Sequence, residues 1–190
     1  IVEDPRPKVV VTGHLGSWEA GIMLAMQVAS NMGHPIRPVA RRIDNPFANW
    51  VAHRIRPAWI EKKGAVRECL NSLKNGVSVC LLADEDGGER GAFLEFFGRP
   101  ASTLCTPAVL ALETGAPIVV AAAVRTSGHR LLAKAVLIES DAYGRGSEAV
   151  LGISRDILSI QERWIREYPL QWRWMHWRWK QRPGGETETY

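Results

Sequence analysis

His14 and Glu19 are two residues near the start of the chain whose types and spacing suit acid–base chemistry. A neutral imidazole titrates near physiological pH and can take a proton from an alcohol. A carboxylate bonded to its other ring nitrogen fixes the tautomer and stabilises the imidazolium as it forms. The nucleophile would then be a hydroxyl group of the substrate, with no covalent enzyme intermediate. A serine nucleophile is not expected, because Ser17 sits in no Gly-x-Ser-x-Gly turn.

A strand and a helix predicted on either side of His14 would bring the pair together. Residues 8–12 form a β-branched run that predicts a strand, and residues 17–31 predict a helix with a serine N-cap. On one continuous helix, residues five apart would face about 140° away from each other. With His14 in the loop and Glu19 in the first helical turn, the two converge at the end of the strand, where open α/β sheets place their ligands. Because the helix is apolar on most sides, we expect it to be largely buried.

The same two residues also have an ordinary structural interpretation. A histidine that follows a strand is commonly a packing residue, and an acidic residue in the first turn of a helix is favoured by the helix dipole alone. Their spacing by itself therefore leaves both interpretations open.

Strand and helix patterns alternate along the rest of the chain, with a polar, glycine-rich loop over 84–91. The alternation predicts one α/β domain over residues 1–190, with a mixed, mostly parallel sheet flanked by helices and one hairpin. The further elements are strands at 36–40, 77–83, 117–125 and 131–139, helices at 65–74, 103–113 and 147–168, and a helix that begins at Asn45 and Pro46.

The composition is that of a folded domain, with 46% hydrophobic residues, 23% charged residues and a net charge of +4, which excludes intrinsic disorder. The three cysteines form no Cys-x-x-Cys pair and no metal-binding spacing with the five histidines. They are therefore predicted to be reduced, buried thiols in a cytoplasmic protein. No apolar run approaches the roughly 20 residues of a membrane span, and the N-terminus lacks a basic-then-apolar signal pattern.

The segment from Gly13 to Glu19 resembles the His-x4-Asp/Glu motif of the glycerolipid acyltransferase superfamily, and in particular of its lipid A biosynthesis acyltransferase branch. Further blocks follow in the order of that branch, from about Val9 to Pro183. They are Arg42-Ile-Asp44-Asn45-Pro46, Leu82-Ala-Asp84-Glu-Asp86-Gly87, Phe97-Gly-Arg-Pro-Ala101, Thr114-Gly-Ala-Pro117 and Gln171-Trp-x-Trp-x-His176-x-Arg-Trp-Lys180-x-Arg-Pro183.

Two features depart from the pattern of that branch. Arg41 stands where a tyrosine often precedes the first arginine of the second block. The N-terminal membrane helix of the branch, and the helices that lead into its first strand, have no counterpart in residues 1–190. We expect the domain to be peripheral on the membrane, or anchored by an upstream segment that residues 1–190 do not include.

The resemblance implies a glycerolipid acyltransferase-like fold and an O-acyltransferase. The enzyme would move a fatty acyl chain from an acyl carrier protein or coenzyme A thioester to a hydroxyl group of a membrane glycolipid similar to a lipid A precursor. His14 would be the general base and Glu19 its orienting partner. The reaction would take place on the cytoplasmic face of a bacterial inner membrane. No cofactor and no metal ion is expected, because acyl transfer from a thioester needs neither.

Three further residues, Arg42, Arg56 and Asp84, are implied to bind substrate or support catalysis. Arg56 would bind a phosphate or the phosphopantetheine of the carrier through its planar guanidinium, and Asp84 would orient Arg56 or a glycan hydroxyl. A structural Arg–carboxylate pair explains Arg56 and Asp84 equally well. Arg42 is a candidate phosphate contact, although a solvated basic face accounts for it nearly as well.

The tail from Trp172 to Lys180 interleaves tryptophans with basic residues. Such a stretch suits a membrane interface or stacking on nucleic-acid bases. We expect part of it to pack on the domain and part to contact the membrane surface, without a nucleic-acid partner. His176 is expected to be a packed structural residue.

Two other functions remain open from the sequence. A thioesterase-like hydrolase would use water in place of the alcohol at the same pair. A non-catalytic module that binds membranes or nucleic acid would rest on the basic, tryptophan-rich tail.

Overall fold

The computed structural model describes residues 4–41, 43–45, 47, 49–50, 54 and 59–184, and a six-stranded sheet lies at their centre. The sheet has the strand order β3-β2-β4-β1-β7-β8, whereas β5 and β6 pair with each other in a separate antiparallel hairpin. In chain order the strands are β1 (Val9–Thr12), β2 (Ile36–Ala40), β3 (Ile60–Glu61), β4 (Ser78–Leu82), β5 (Ala92–Phe96), β6 (Arg99–Thr103), β7 (Ile118–Arg125) and β8 (Leu131–Ile138).

The first strand, β1, lies in the middle of the sheet and runs parallel to both of its neighbours, β4 and β7. Its side chains at Val9 and Val11 are fully buried, as expected for a parallel strand that is covered on both faces. Strand β8 pairs antiparallel with β7 across the turn at Ser127 and Gly128. The predicted α/β fold, with its mixed and mostly parallel sheet, is confirmed.

Helices cover both faces of the sheet. They are α1 (Trp18–Asn31), α2 (Ala65–Lys74), α3 (Thr106–Thr114) and α4 (Ser147–Glu167). Helix α3 packs against α2 and α4 on the face where Val9 and Val11 enter the main core. Helix α1 packs against β2 and β7, over the face that presents Val10 and Ala121.

The expectation that α1 is largely buried is wrong. None of its residues is buried, and Leu24 on its outer surface is 57% exposed. The helices α2, α3 and α4 cover one another's flanks, whereas α1 rests on the sheet and keeps the rest of its apolar surface open. Among the described helices, none is at once long and apolar enough to cross a membrane.

The predicted elements agree with the structure at most positions, including both ends of β2 and α2. The sequence did not predict the β5–β6 hairpin or the two-residue strand β3. The helix expected after Asn45 is observed in part, because Phe47, Trp50 and Arg54 are helical. Its predicted first residue, Pro46, lies outside the described residues.

The cysteines carry free thiols, as predicted. Cys69 and Cys80 are buried, and Cys105 is half-buried. Burial raises the pKa of the Cys69 thiol to about 11 and that of the Cys80 thiol to about 12. Both therefore stay protonated and unreactive at neutral pH.

Candidate active site

Two parallel neighbours in the sheet bring His14 and Asp84 together. Strands β1 and β4 pair in register, with Thr12 opposite Leu82, so the loops that follow them leave the sheet at the same edge. The backbone N–H of Ala83 donates to Thr12 O at 3.0 Å and continues the ladder by one residue. This carboxyl edge is where α/β sheets place their functional groups.

His14 and Asp84 form a buried hydrogen-bonded pair. His14 Nδ1 lies 2.9 Å from Asp84 Oδ1, and the side chains are 8% and 1% exposed. The other carboxylate oxygen, Oδ2, accepts the His14 backbone N–H at 2.7 Å and the Trp172 indole N–H at 2.9 Å. Burial alone would raise the pKa of the Asp84 carboxyl, but the hydrogen bonds from His14 and Trp172 outweigh it, so the pKa is lowered.

The ionised Asp84 carboxylate determines which ring nitrogen of His14 can act as a base. A carboxylate only accepts hydrogen bonds, so Nδ1 must carry the ring proton of the neutral imidazole. The lone pair is then on Nε2, on the opposite side of the ring. His14 lines a cavity of about 440 Å³ together with Glu19, Glu85 and Arg41. The site therefore presents an oriented imidazole to a cavity that is large enough for part of a substrate.

The structure places the other predicted site residues as follows. Glu19 lies on the exposed first turn of α1 and lines the same cavity as His14. The carboxylate on Nδ1, however, belongs to Asp84, so the orienting contact that the sequence analysis assigned to Glu19 is made by Asp84. Arg42 and Arg56 lie outside the described residues. The role of Asp84 beside Arg56 therefore stays a prediction.

His176 is a site residue whose position the sequence analysis did not anticipate. Its ring centroid lies 4.4 Å from that of His14, at an interplanar angle of 66°, and Trp18 contacts His14 at 5.0 Å. Burial, together with the neighbouring His14, lowers the pKa of the His176 imidazole. The sequence contained the histidine, but only the fold of the tail brings it to the cavity.

A model of the bacterial lipid A biosynthesis acyltransferase family matches residues 3–181. The chain belongs to this family.

Individual relatives lie at moderate identity. The chain is 29% identical over 194 residues to a lipid A biosynthesis palmitoleoyltransferase of Escherichia coli strain K12, and to a lipid A biosynthesis acyltransferase of Shigella flexneri. In both cases the match covers 97% of this chain and 60% of the relative's length. A phosphatidylinositol mannoside acyltransferase of Mycolicibacterium smegmatis is 26% identical over 121 residues, which is 60% of this chain and 38% of that protein. The chain thus spans about 60% of the length of the lipid A relatives.

The tail of this family member holds the loop that carries His14 in place. The N–H of Gly16 donates to Gln171 O at 2.9 Å, and the N–H of Arg173 donates to His14 O at 3.1 Å. Trp172 is buried beside Asp84, whereas Trp174 and Trp177 are about half exposed. The expected packing of part of the tail on the domain is therefore observed.

Gly13 is a residue of this loop that has no room for a side chain beside Asp84. A β-carbon at position 13 would come within 2.8 Å of Asp84 Oδ2 and 2.9 Å of Asp84 Cγ. Gly13→Ala should therefore displace the buried carboxylate from His14. We expect turnover to fall about 100-fold and stability by about 1–3 kcal/mol, the usual cost of overpacking. Steady-state kinetics and urea unfolding measure the two effects, and unchanged turnover would contradict the close fit.

Arg178 anchors the tail of the family member to the β5–β6 hairpin. Its side chain is 0% exposed, Nη1 donates to Ser102 O at 2.5 Å, and Nη2 donates to Thr103 Oγ1 at 2.7 Å. The guanidinium also lies 5.2 Å from the ring centroid of Phe96. Burial lowers its pKa to about 10, so it is still charged at neutral pH.

Removal of the Arg178 guanidinium should destabilise the fold. In Arg178→Met the side chain keeps an unbranched apolar stem, but the buried oxygens of Ser102 and Thr103 lose their donors. We expect a loss of about 2–4 kcal/mol in the free energy of unfolding. Urea unfolding followed by circular dichroism measures it, with Arg145→Met at an exposed position as the matched control. Equal values for the two variants would show that the buried contacts contribute nothing.

Proposed function

We propose that the protein transfers a fatty acyl group from a thioester to a hydroxyl group of a membrane glycolipid, with His14 as the general base. The observation that carries the proposal is the buried Asp84 carboxylate on Nδ1, which leaves the Nε2 lone pair of His14 directed to the cavity side. Membership of the lipid A biosynthesis acyltransferase family supports the reaction class.

The chemical steps follow from the position of the base. The acceptor hydroxyl attacks the thioester carbonyl carbon as its proton passes to His14 Nε2. The new imidazolium is stabilised by Asp84 through Nδ1. The tetrahedral intermediate then collapses, the carbon–sulfur bond breaks, and the imidazolium returns the proton to the departing thiolate. The products are the O-acyl ester and the free thiol, so that the reaction needs no metal ion or cofactor.

Charges at the cavity suit the proposed substrates. Arg41 and Lys62 line it on one side and can bind the phosphates of an acyl carrier protein, of coenzyme A or of a lipid A precursor. Arg42 and Arg56, which lie outside the described residues, stay predicted contacts for phosphate. We propose that Glu19, which is exposed at the cavity, holds the acceptor hydroxyl, while Asp84 orients His14 through the hydrogen bond to Nδ1.

An apolar groove next to the site is the proposed position of the acyl chain. A second cavity of about 370 Å³ lies between α1 and the sheet, and its walls include Ala25, Val119 and Ala133. Trp18 and Ile22 line both this groove and the cavity at His14. A chain whose thioester carbon lies at His14 can therefore continue between α1 and the sheet.

The exposed apolar residues support a position on a membrane surface. They include Met23 and Leu24 on α1, and Leu170 and Met175 in the tail. Such side chains bind a bilayer at the level of the headgroups. We propose that the protein acts at the cytoplasmic face of a bacterial inner membrane.

The test is an assay with a radiolabelled acyl thioester, on acyl carrier protein or coenzyme A, with and without a lipid A precursor in mixed micelles. We expect labelled glycolipid only when the acceptor is present. Free fatty acid at the same rate with and without acceptor would replace the proposal with a thioesterase. Saturable binding to liposomes or oligonucleotides, without turnover of any thioester, would replace it with a binding module.

A further inference from the structure

Three potential metal ligands converge at the mouth of the cavity. One ligand atom each from His14, Glu85 and His176 lies within 4.8 Å of the other two. His14 Nε2 is 3.9 Å from Glu85 Oε1, and His176 Nδ1 is 3.8 Å from the same oxygen. Because the three residues are far apart in the sequence, the cluster forms only when β1, β4 and the tail come together.

The chemistry of this set matches a transition-metal site. Two imidazoles and one carboxylate are a ligand set used for zinc, with a fourth position left to water or another ligand. Bonds of about 2.0–2.1 Å to a tetrahedral ion put neighbouring ligand atoms roughly 3.3 Å apart. The two imidazole atoms lie within 4.8 Å of each other and have to approach by up to roughly 1.5 Å, whereas the distances of 3.8 and 3.9 Å to Glu85 need to shorten by only about half an ångström. Glu85 can supply that movement, since its side chain is 41% exposed.

The hydrogen bonds around the cluster also favour metal binding. Metal-bound histidines usually donate their other ring N–H to a carboxylate, which orients the ring and raises its basicity. His14 already makes this contact, from Nδ1 to Asp84 at 2.9 Å. His176 Nε2 is buried and has no hydrogen-bond partner among the described residues, while Nδ1 faces Glu85. Its Nδ1 is therefore the atom of His176 placed to bind a metal.

We propose that His14, Glu85 and His176 form a regulatory site for Zn²⁺ or a similar transition-metal ion, which switches the enzyme off. A metal ion on His14 Nε2 occupies the lone pair that would take the proton from the acceptor hydroxyl. Metal binding and general-base catalysis thus exclude each other. The loss of activity rests on the proposed function, whereas the binding of the metal does not.

The binding test uses metal-free protein and titrates it with Co²⁺ and Zn²⁺. Cobalt reports its own coordination by visible absorption, and calorimetry gives the zinc stoichiometry. We expect one ion per chain and a tetrahedral cobalt spectrum. His176→Ala and Glu85→Gln should each weaken binding at least about 10-fold, the usual cost of losing a supporting or direct ligand. His34 lines the groove between α1 and the sheet, away from the cluster, so His34→Ala should bind the ion like the wild type.

Two further measurements complete the test. Mg²⁺ at millimolar concentration should not displace cobalt, since hard cations prefer oxygen ligands. Zn²⁺ should inhibit acyl transfer by the wild type at the concentration at which it binds, and a chelator should restore the activity. Binding that persists in the His176→Ala/Glu85→Gln double variant would overturn the site. Stoichiometric binding without inhibition would overturn the regulatory role. Failure of the proposed function is distinguishable from failure of the metal site, because a protein with no transferase activity would still bind the metal.

Discussion

Asp84→Asn should lower kcat about 10³-fold and leave the KM for the thioester nearly unchanged. Oδ2 of Asp84 receives two N–H donors, from the His14 backbone and from Trp172. In the variant the amide oxygen must take that position, which places the amide NH₂ against His14 Nδ1. Nδ1 must then accept a hydrogen bond, so the ring proton moves to Nε2. In this tautomer Nε2 has no lone pair and cannot take the proton of the acceptor hydroxyl.

Steady-state kinetics on both substrates, with thermal melting as a check on folding, measures this effect. Glu19→Gln is the informative comparison, since it removes the carboxylate that the sequence analysis assigned as the partner of His14. The orienting role would belong to Glu19 instead if Asp84→Asn keeps the wild-type kcat while Glu19→Gln alters the pH profile of turnover. The melting temperatures of both variants should stay near that of the wild type.

The part of this site that is formed by neighbouring residues in the chain could be predicted from the sequence. A β-branched run, a glycine and a helix N-terminus over residues 8–19 place His14 in a strand-to-helix loop, and the structure confirms those elements. The partner of His14 could not be predicted in the same way. Asp84 lies 70 residues away and reaches His14 only because β4 pairs with β1. Local patterns predict strands, but the order of strands in a sheet depends on distant packing.

The tail shows the same limit. Its sequence predicted that part of it packs on the domain, but not that Trp172 and Arg178 would be buried against Asp84 and the β5–β6 hairpin. That hairpin was itself missed, because its strands carry charges and a proline and are flanked by glycines, a composition that is typical of a loop. For α1 the prediction erred in the opposite direction, because it overestimated the burial of the helix. Its composition predicted burial, but how much of a helix is covered depends on its neighbours, which composition does not specify.

Replacing His14 with alanine should have the largest effect on activity of any single change. General-base catalysis contributes up to about 10⁴-fold, and we expect kcat to fall by about that factor. Thioester binding should change little, because the apolar groove under α1 remains intact. The lost ring also leaves a space between Trp18, His176 and Asp84, which has the shape of an imidazole.

Chemical rescue by added imidazole, which can enter that space, tests the role of His14. Exogenous imidazole should restore part of the turnover of His14→Ala, with a dependence on imidazole concentration that saturates, because Asp84 can still orient the added base. Arg145→Met, at an exposed position away from both cavities, should show wild-type turnover and no response to imidazole. A purely structural His14 would give a variant with a lowered melting temperature and no rescue. Wild-type turnover in His14→Ala would leave the acyl-transfer mechanism without its base.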